Sequence, residues 1–203
     1  MEKSRLSRIT EWWRPKAGTI FSLLLFYLAV WEVPFSDGWK LLFFSLITLT
    51  GFGVTGYFLN DWADIPYDRK VGKTNLVERI PKIGRVLLFV GLLAITLLPW
   101  FTYFKTDVWS IGLITAQLVL QFAYPIPPIR LKNYPKIAMA SDAMYAFAIP
   151  SVLAWHTFDL TSESNGSTEE YIHFAFLFLW MIAIGIRHII NHHVVDRKND
   201  EQT

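Results

Sequence analysis

Cysteine is absent from the chain, which excludes a disulfide framework, a thiolate metal site and a thiol nucleophile. Charge is scarce too. Only 18% of residues are charged, against 53% hydrophobic and 16% aromatic, and that balance excludes an ordinary soluble domain. Basic residues are missing from one whole stretch, 159–170, which holds Asp159, Glu163, Glu169 and Glu170. The first apolar segment lacks a small-residue cleavage site around Pro34 and Ser36, so it reads as a helix and not as a signal peptide. The net charge of +2 says little about partners, and no nucleic-acid partner is expected.

What the chain does have is long apolar runs. Residues 41–60, 86–104 and 108–129 carry no charge, and each is close to the roughly 20 residues an α-helix needs to cross the hydrocarbon core. Residues 17–34, 137–158 and 171–195 add further spans, the fifth with Asp142 as its acidic group and the sixth interrupted by Arg187. The expected fold is all-α, a polytopic transmembrane bundle of about six helices, with residues 1–203 forming a single domain. Lys and Arg set its orientation, because basic loops stay in the cytoplasm. Lys3, Arg5, Arg8, Arg14 and Lys16 precede the first helix; Arg69, Lys70, Lys73, Arg79, Lys82 and Arg85 follow the second; Arg130, Lys132 and Lys136 follow the fourth. Both termini are therefore expected on the cytoplasmic face.

Two acidic stretches fall where apolar segments run out on that face. Residues four apart on a helix lie nearly above one another, so Asn60, Asp64 and Asp68 form one oxygen-rich stripe, with Asp61 beside it, and Asp196 and Asp200 form a second. Carboxylates without a matching positive charge repel one another unless a cation sits between them. Oxygen-only ligands suit Mg²⁺, which binds through one or two protein carboxylates together with substrate phosphates and water. His188, His192 and Asp196 share a four-residue spacing that iron or zinc could use, but no second imidazole cluster completes such a site. Arg187 and Asp142 are ionisable groups inside apolar segments and so are functional candidates, with snorkelling or an interfacial position as the alternative for each.

On these residues the chain resembles the UbiA superfamily of intramembrane prenyltransferases. Asn60-Asp61-x-x-Asp64-x-x-x-Asp68 is similar to the family's first signature and Asp196-x-x-x-Asp200 to its second. Lys73-Thr74 mirrors the basic residue and Thr that follow the first signature, and the run from Tyr124 to Lys132 looks like the proline-rich loop after the fourth helix. Val77-Glu78 departs from the usual Arg-Pro, and His192 stands where many relatives are acidic. Family members typically have about nine helices, so the chain is expected to be a member incomplete at its C-terminus.

The resemblance implies an enzyme that transfers a prenyl group from a polyprenyl diphosphate to a small lipophilic acceptor of aromatic, tetrapyrrole or glycerol-phosphate type, among membrane lipids. Asp64, Asp68, Asp196 and Asp200 would hold Mg²⁺ and carry catalysis. Asn60, Asp61, Lys73, Arg130, Lys132 and Arg187 would bind substrate, with positive-inside topology or lipid headgroup contact as the alternative for Arg130 and Lys132. Aromatic rings would face an allylic cation. Two alternatives remain open: phosphoribosyl transfer to a polyprenyl phosphate, and a non-catalytic membrane protein that binds divalent cations.

Overall fold

In hydrocarbon, an unpaired backbone N–H or C=O costs several kcal/mol, so apolar runs of this length must close their hydrogen bonds within themselves. The computed structural model describes residues 19–162 and 167–200, with backbone alone for residue 37 and residues 192–200. No strand occurs among the described residues. Helix α1 spans Thr19–Val30. It is followed by α2 (Phe35–Lys70), a 3-10 turn (Val77–Arg79), α3 (Lys82–Thr102), α4 (Val108–Ala123), a second 3-10 turn (Leu131–Asn133), α5 (Pro135–Ala143), a π turn (Met144–Ala148), α6 (Ile149–Ser162) and α7 (Thr168–Asp200). Helices α5 and α6 run on through the π turn as one apolar rod, Pro135–Ser162.

Among the described residues six rods thus stand where six spans are expected, four of them long and apolar enough to cross a membrane, and the departures from the expected bounds at α2 and α4 bear on the site. Helix α2 does not stop at residue 60. Its 36 residues extend for about 54 Å, more than a hydrocarbon core of about 30 Å needs, and the acidic stripe occupies its last three turns. Helix α4 is shorter than the run 108–129. Pro125, Pro127 and Pro128 lack backbone N–H groups and disfavour helix in the residues before them, so α4 ends at Ala123. The shift to π geometry in the rod has a similar cause: the ring of Pro150 would crowd the carbonyl four residues earlier, and the wider turn relieves that clash.

Helix α1 supplies part of the main core. Leu24 and Tyr27 are fully buried, the Tyr27 hydroxyl donates to the Ser151 carbonyl at 3.1 Å, and Trp31 lies against Trp155 with ring centroids 5.7 Å apart. Because the bilayer offers no hydrophobic driving force between helices, small residues and hydroxyl bonds must hold them together. The α2–α3 contact shows this directly. Gly51 faces Thr96 so closely that a Cβ would come within 2.3 Å of its Oγ1, and Thr48 Oγ1 donates to the Thr96 carbonyl at 3.1 Å. The opposite face of α3 exposes Leu87, Val90 and Phe101, side chains suited to lipid tails.

Helix α7 runs antiparallel to the rod. Phe174 meets Trp155 at 4.4 Å, Gly185 abuts the backbone of Ala143, and His188 stacks on Phe147 at 5.4 Å. The C-terminal end of α7 therefore points to the end of the bundle that carries α5's first turn and the extension of α2. At the other end, Asp107 caps α4 by accepting from Ser110 N at 2.8 Å and ties it to α6 through His156 Nε2 at 2.9 Å. Burial works against ionising Asp107, but its bonds from Ser110 N, His156 and the Ser110 hydroxyl outweigh it and hold the carboxyl down at about 2.

Gly51→Ala should lower thermal stability in detergent by about 1–3 kcal/mol, the usual cost of overpacking. Gly91→Ala, on the partner helix α3 with nothing within 4 Å of its added carbon, should leave the melting temperature unchanged or slightly raised, since Ala is the better helix former; equal melting temperatures for both variants would contradict the close α2–α3 approach.

Candidate functional site

Asp64 lies two turns from the end of α2, and the loop between α4 and α5 folds back onto it. Lys132 Nζ donates to Asp64 Oδ1 at 2.6 Å and Oδ2 at 2.5 Å, and Arg130 Nη2 donates to Oδ1 at 2.7 Å. One carboxylate receives two cations. Lys132 also reaches Asn60 Oδ1 at 2.8 Å, while Asn60 Nδ2 donates to Asp64 Oδ2 at 3.3 Å, so the four-residue spacing of the stripe is realised as a side-chain contact. Burial pulls the Lys132 ammonium below its usual range, opposed by the hydrogen bond and charge of Asp64 and assisted by the charge of Arg130.

The loop's shape follows from its own residues. Arg130 adopts a left-handed backbone, φ 38° and ψ 64°, an uncommon conformation for a residue with a Cβ. It is fixed from several directions: its Nη1 donates to the Pro125 carbonyl at 3.2 Å, its Nε donates to Asn133 Oδ1 at 3.1 Å, and its guanidinium sits 3.7 Å from the centre of the Tyr67 ring. Only 7% of Arg130 is exposed. A strained, buried arginine held in four ways is typical of a functional site more than of a headgroup contact.

Asp68 is placed differently. Asn75 Nδ2 donates to its Oδ2 at 2.8 Å and to the Asp61 carbonyl at 2.7 Å, while Lys73 Nζ stays 3.9 Å from Oδ1 and is largely exposed. Asp61 itself faces outward. The structure thus brings Asn60, Asp64, Arg130 and Lys132 into direct contact, sets Asp68 and Lys73 one turn further out, and leaves Arg187 elsewhere. Arg187 and His188 line an open groove of about 570 Å³ between α1 and α7, with Ser22, Leu23 and Trp180. Asp196 and Asp200 lie on the last turns of α7, where their side chains and that of His192 fall outside the described residues.

The donor set fits a hard divalent cation in part. Asn60, Asp64 and Asp68 offer only oxygen and amide groups on one helix face, and Asp64 already holds positive charge. Among the described residues, no group of three or more His, Asp or Glu could by itself hold a metal ion. Mg²⁺ takes one or two protein carboxylates and completes its shell with phosphate and water; the side chains of His192 and Asp196, which the imidazole alternative would need, lie outside the described residues.

The sequence profile of the UbiA prenyltransferase family matches residues 19–203. The chain belongs to this family. Its members are membrane prenyltransferases, so the contacts above lie in a fold used for prenyl transfer. No curated protein and no solved structure matches the chain.

Two residues of this UbiA-family site escaped the sequence reading. Tyr67 offers the ring beneath Arg130, and nothing in its position distinguishes it from an interfacial tyrosine. Asn75 had a recoverable signal: its Oδ1 accepts from Val77 N at 2.9 Å and Glu78 N at 3.3 Å, the pattern of an Asn that starts a short helical turn. It is 6% exposed, and with Val77 packed on Phe58 and Ile65 it fastens residues 71–81 under the end of α2. Asn75→Ala should cost about 1–3 kcal/mol, the cost of leaving buried polar groups unmet. It should also make the segment 71–81 more sensitive to limited proteolysis; an unchanged melting temperature and digestion pattern would contradict this role.

Proposed function

We propose that this chain transfers a prenyl group from a polyprenyl diphosphate to a lipophilic acceptor inside the membrane, with the diphosphate held at the Asp64 junction. The observation that carries this reading is the convergence of Lys132 and Arg130 on one carboxylate of the Asn60–Asp64–Asp68 stripe. Such a cluster joins cations that pair with phosphate oxygens to carboxylates that hold a divalent ion. Bound Mg²⁺ would neutralise charge on the departing diphosphate as a Lewis acid.

The chain's own residues have distinct tasks in this scheme. Asp64 and Asp68 present oxygen ligands from α2, and Asp196 and Asp200 present them from the end of α7. Asn60 keeps the Asp64 carboxylate in register. When the diphosphate arrives, Lys132 and Arg130 give up part of Asp64 for non-bridging phosphate oxygens, and Lys73, with its exposed ammonium, closes on the outermost phosphate. Arg187 binds donor from the α1–α7 groove, whose apolar wall accepts the prenyl chain. The surrounding helices exclude water, so the cleaved prenyl group meets the acceptor before it is hydrolysed. Residues 1–203 belong to a single transmembrane domain with the N-terminus and the diphosphate site on the cytoplasmic face, a placement that the distribution of Lys and Arg supports.

Binding of geranylgeranyl diphosphate to the detergent-solubilised protein, titrated with and without Mg²⁺, tests this reading. Binding should require Mg²⁺ and should weaken roughly 10- to 100-fold in Asp64→Asn, since hydrogen bonds to charged groups contribute about 1.5–3 kcal/mol. Mg²⁺ affinity that is the same with and without donor would identify a cation carrier instead and overturn the proposal.

A further inference from the structure

A hydroxyl buried among apolar helices is costly unless it finds a partner. Among the described residues, the buried serines and threonines meet that demand with one exception. Thr96, Ser151 and Thr157 each turn the hydroxyl back to the carbonyl four residues earlier, at 2.7 Å in all three cases. Thr48 donates instead to the Thr96 carbonyl on the neighbouring helix, at 3.1 Å. Ser45 does neither. It is 4% exposed, and its Oγ has no hydrogen-bond partner.

Trp100 on α3 shares this condition, being 6% exposed with an indole N–H that is buried and reaches no acceptor. Both side chains line one cavity. Its volume is about 10 Å³, it lies where α2, α3 and α6 meet, and Thr48 and Thr157 are also on its wall. Every residue that lines it is buried. An apolar void stays dry, whereas a polar one holds a water once it offers roughly 10–15 Å³ and two to four polar partners. The volume therefore admits one water and nothing larger. The donors and acceptors fit as well. Trp100 can only donate, which suits a water oxygen, and the water's two protons then need acceptors. Ser45 Oγ has lone pairs that nothing else uses. Thr48 and Thr157 commit their protons to carbonyls and keep lone pairs of their own.

We propose that this cavity binds a single water molecule, which accepts from the Trp100 indole N–H, bonds to Ser45 Oγ, and so joins α2 to α3 beside α6. A bridging water is enthalpically close to a direct hydrogen bond. Between membrane helices, where apolar contact supplies no driving force, such a bond helps to hold the bundle together. Its position makes the task structural. Ser45 precedes Asp64 on α2 by nineteen residues, about 28 Å along the helix at 1.5 Å per residue, so the water lies towards the end of the bundle that carries Asp107. It is out of reach of a prenyl cation formed beside Asp64. The site stands whether or not the chain transfers a prenyl group.

Melting temperatures of the full chain in detergent show whether the two groups are met. With a water bound, Ser45→Ala removes a bond and leaves the water short of a partner, and the melting temperature should fall by about 2–4 °C although Ala is the better helix former. In a dry cavity the same change deletes an unpaired hydroxyl. An unchanged or raised melting temperature would therefore overturn the proposal. Trp100→Phe should also lower it, and because both groups hold one molecule, the losses should fall short of additive in the double variant; full additivity would overturn a shared water. A crystal structure of the full chain with ordered solvent decides the point directly. One water within about 2.7–3.2 Å of both Ser45 Oγ and Trp100 Nε1 is expected. An empty cavity, or Ser45 turned onto the Leu41 carbonyl four residues earlier, would overturn the proposal.

Discussion

The carboxylate of Asp64 is the point on which the rest of the site depends. It receives Lys132 and Arg130 from a loop that follows it by more than sixty positions, and both cations are largely removed from water. A buried charge without its partner is costly, whereas a paired and hydrogen-bonded one is tolerated. Asp64 is therefore what allows the loop after α4 to lie against α2. Without it, the left-handed Arg130, the stack on Tyr67 and the start of α5 would each lose their reason for being where they are.

The helical scaffold serves this junction. Helix α2 is longer than the hydrocarbon needs and carries its acidic face to the loop, and Gly51 and the threonines around Thr96 lock α3 against it. Asn75 and the Phe58–Ile65–Val77 cluster fasten the following linker underneath. The π turn at Met144–Ala148 changes the backbone hydrogen bonding of the rod just after Asp142. Rigid elements thus support the junction; of the non-glycine residues with positive φ among those described, Arg130 lies at it and Glu32 lies in the turn between α1 and α2.

Much of this was legible in the sequence, for physical reasons. Apolar runs of near-membrane length admit only helices in an all-α chain, so six rods could be read from hydropathy, and family membership from the two Asp signatures. The four-residue stripe followed from helix geometry alone, and the contact between Asn60 and Asp64 realises it. Helix through Asp68 was implicit in the stripe, but that Phe35–Lys70 forms one unbroken helix was not, because its polar ends have no apolar signature. Nor was the pairing of Arg130 and Lys132 with Asp64, since basic residues in an inner loop are expected from topology whatever they touch. Tyr67 looks like any other aromatic in a chain with sixteen Phe and eight Tyr; only the fold distinguishes it. Asp142 was visible as an intramembrane acid, but the irregular helical turn that follows it at Met144–Ala148 was not.

The most direct test of the Asp64 junction is a double-mutant cycle on unfolding stability, with Asp64→Asn, Lys132→Met and the double variant compared in detergent without metal or donor. A shared contact predicts that the two losses do not add, with a coupling of about 0.5–3 kcal/mol. Losses that simply add would show that Asp64 and Lys132 act independently and would contradict the account.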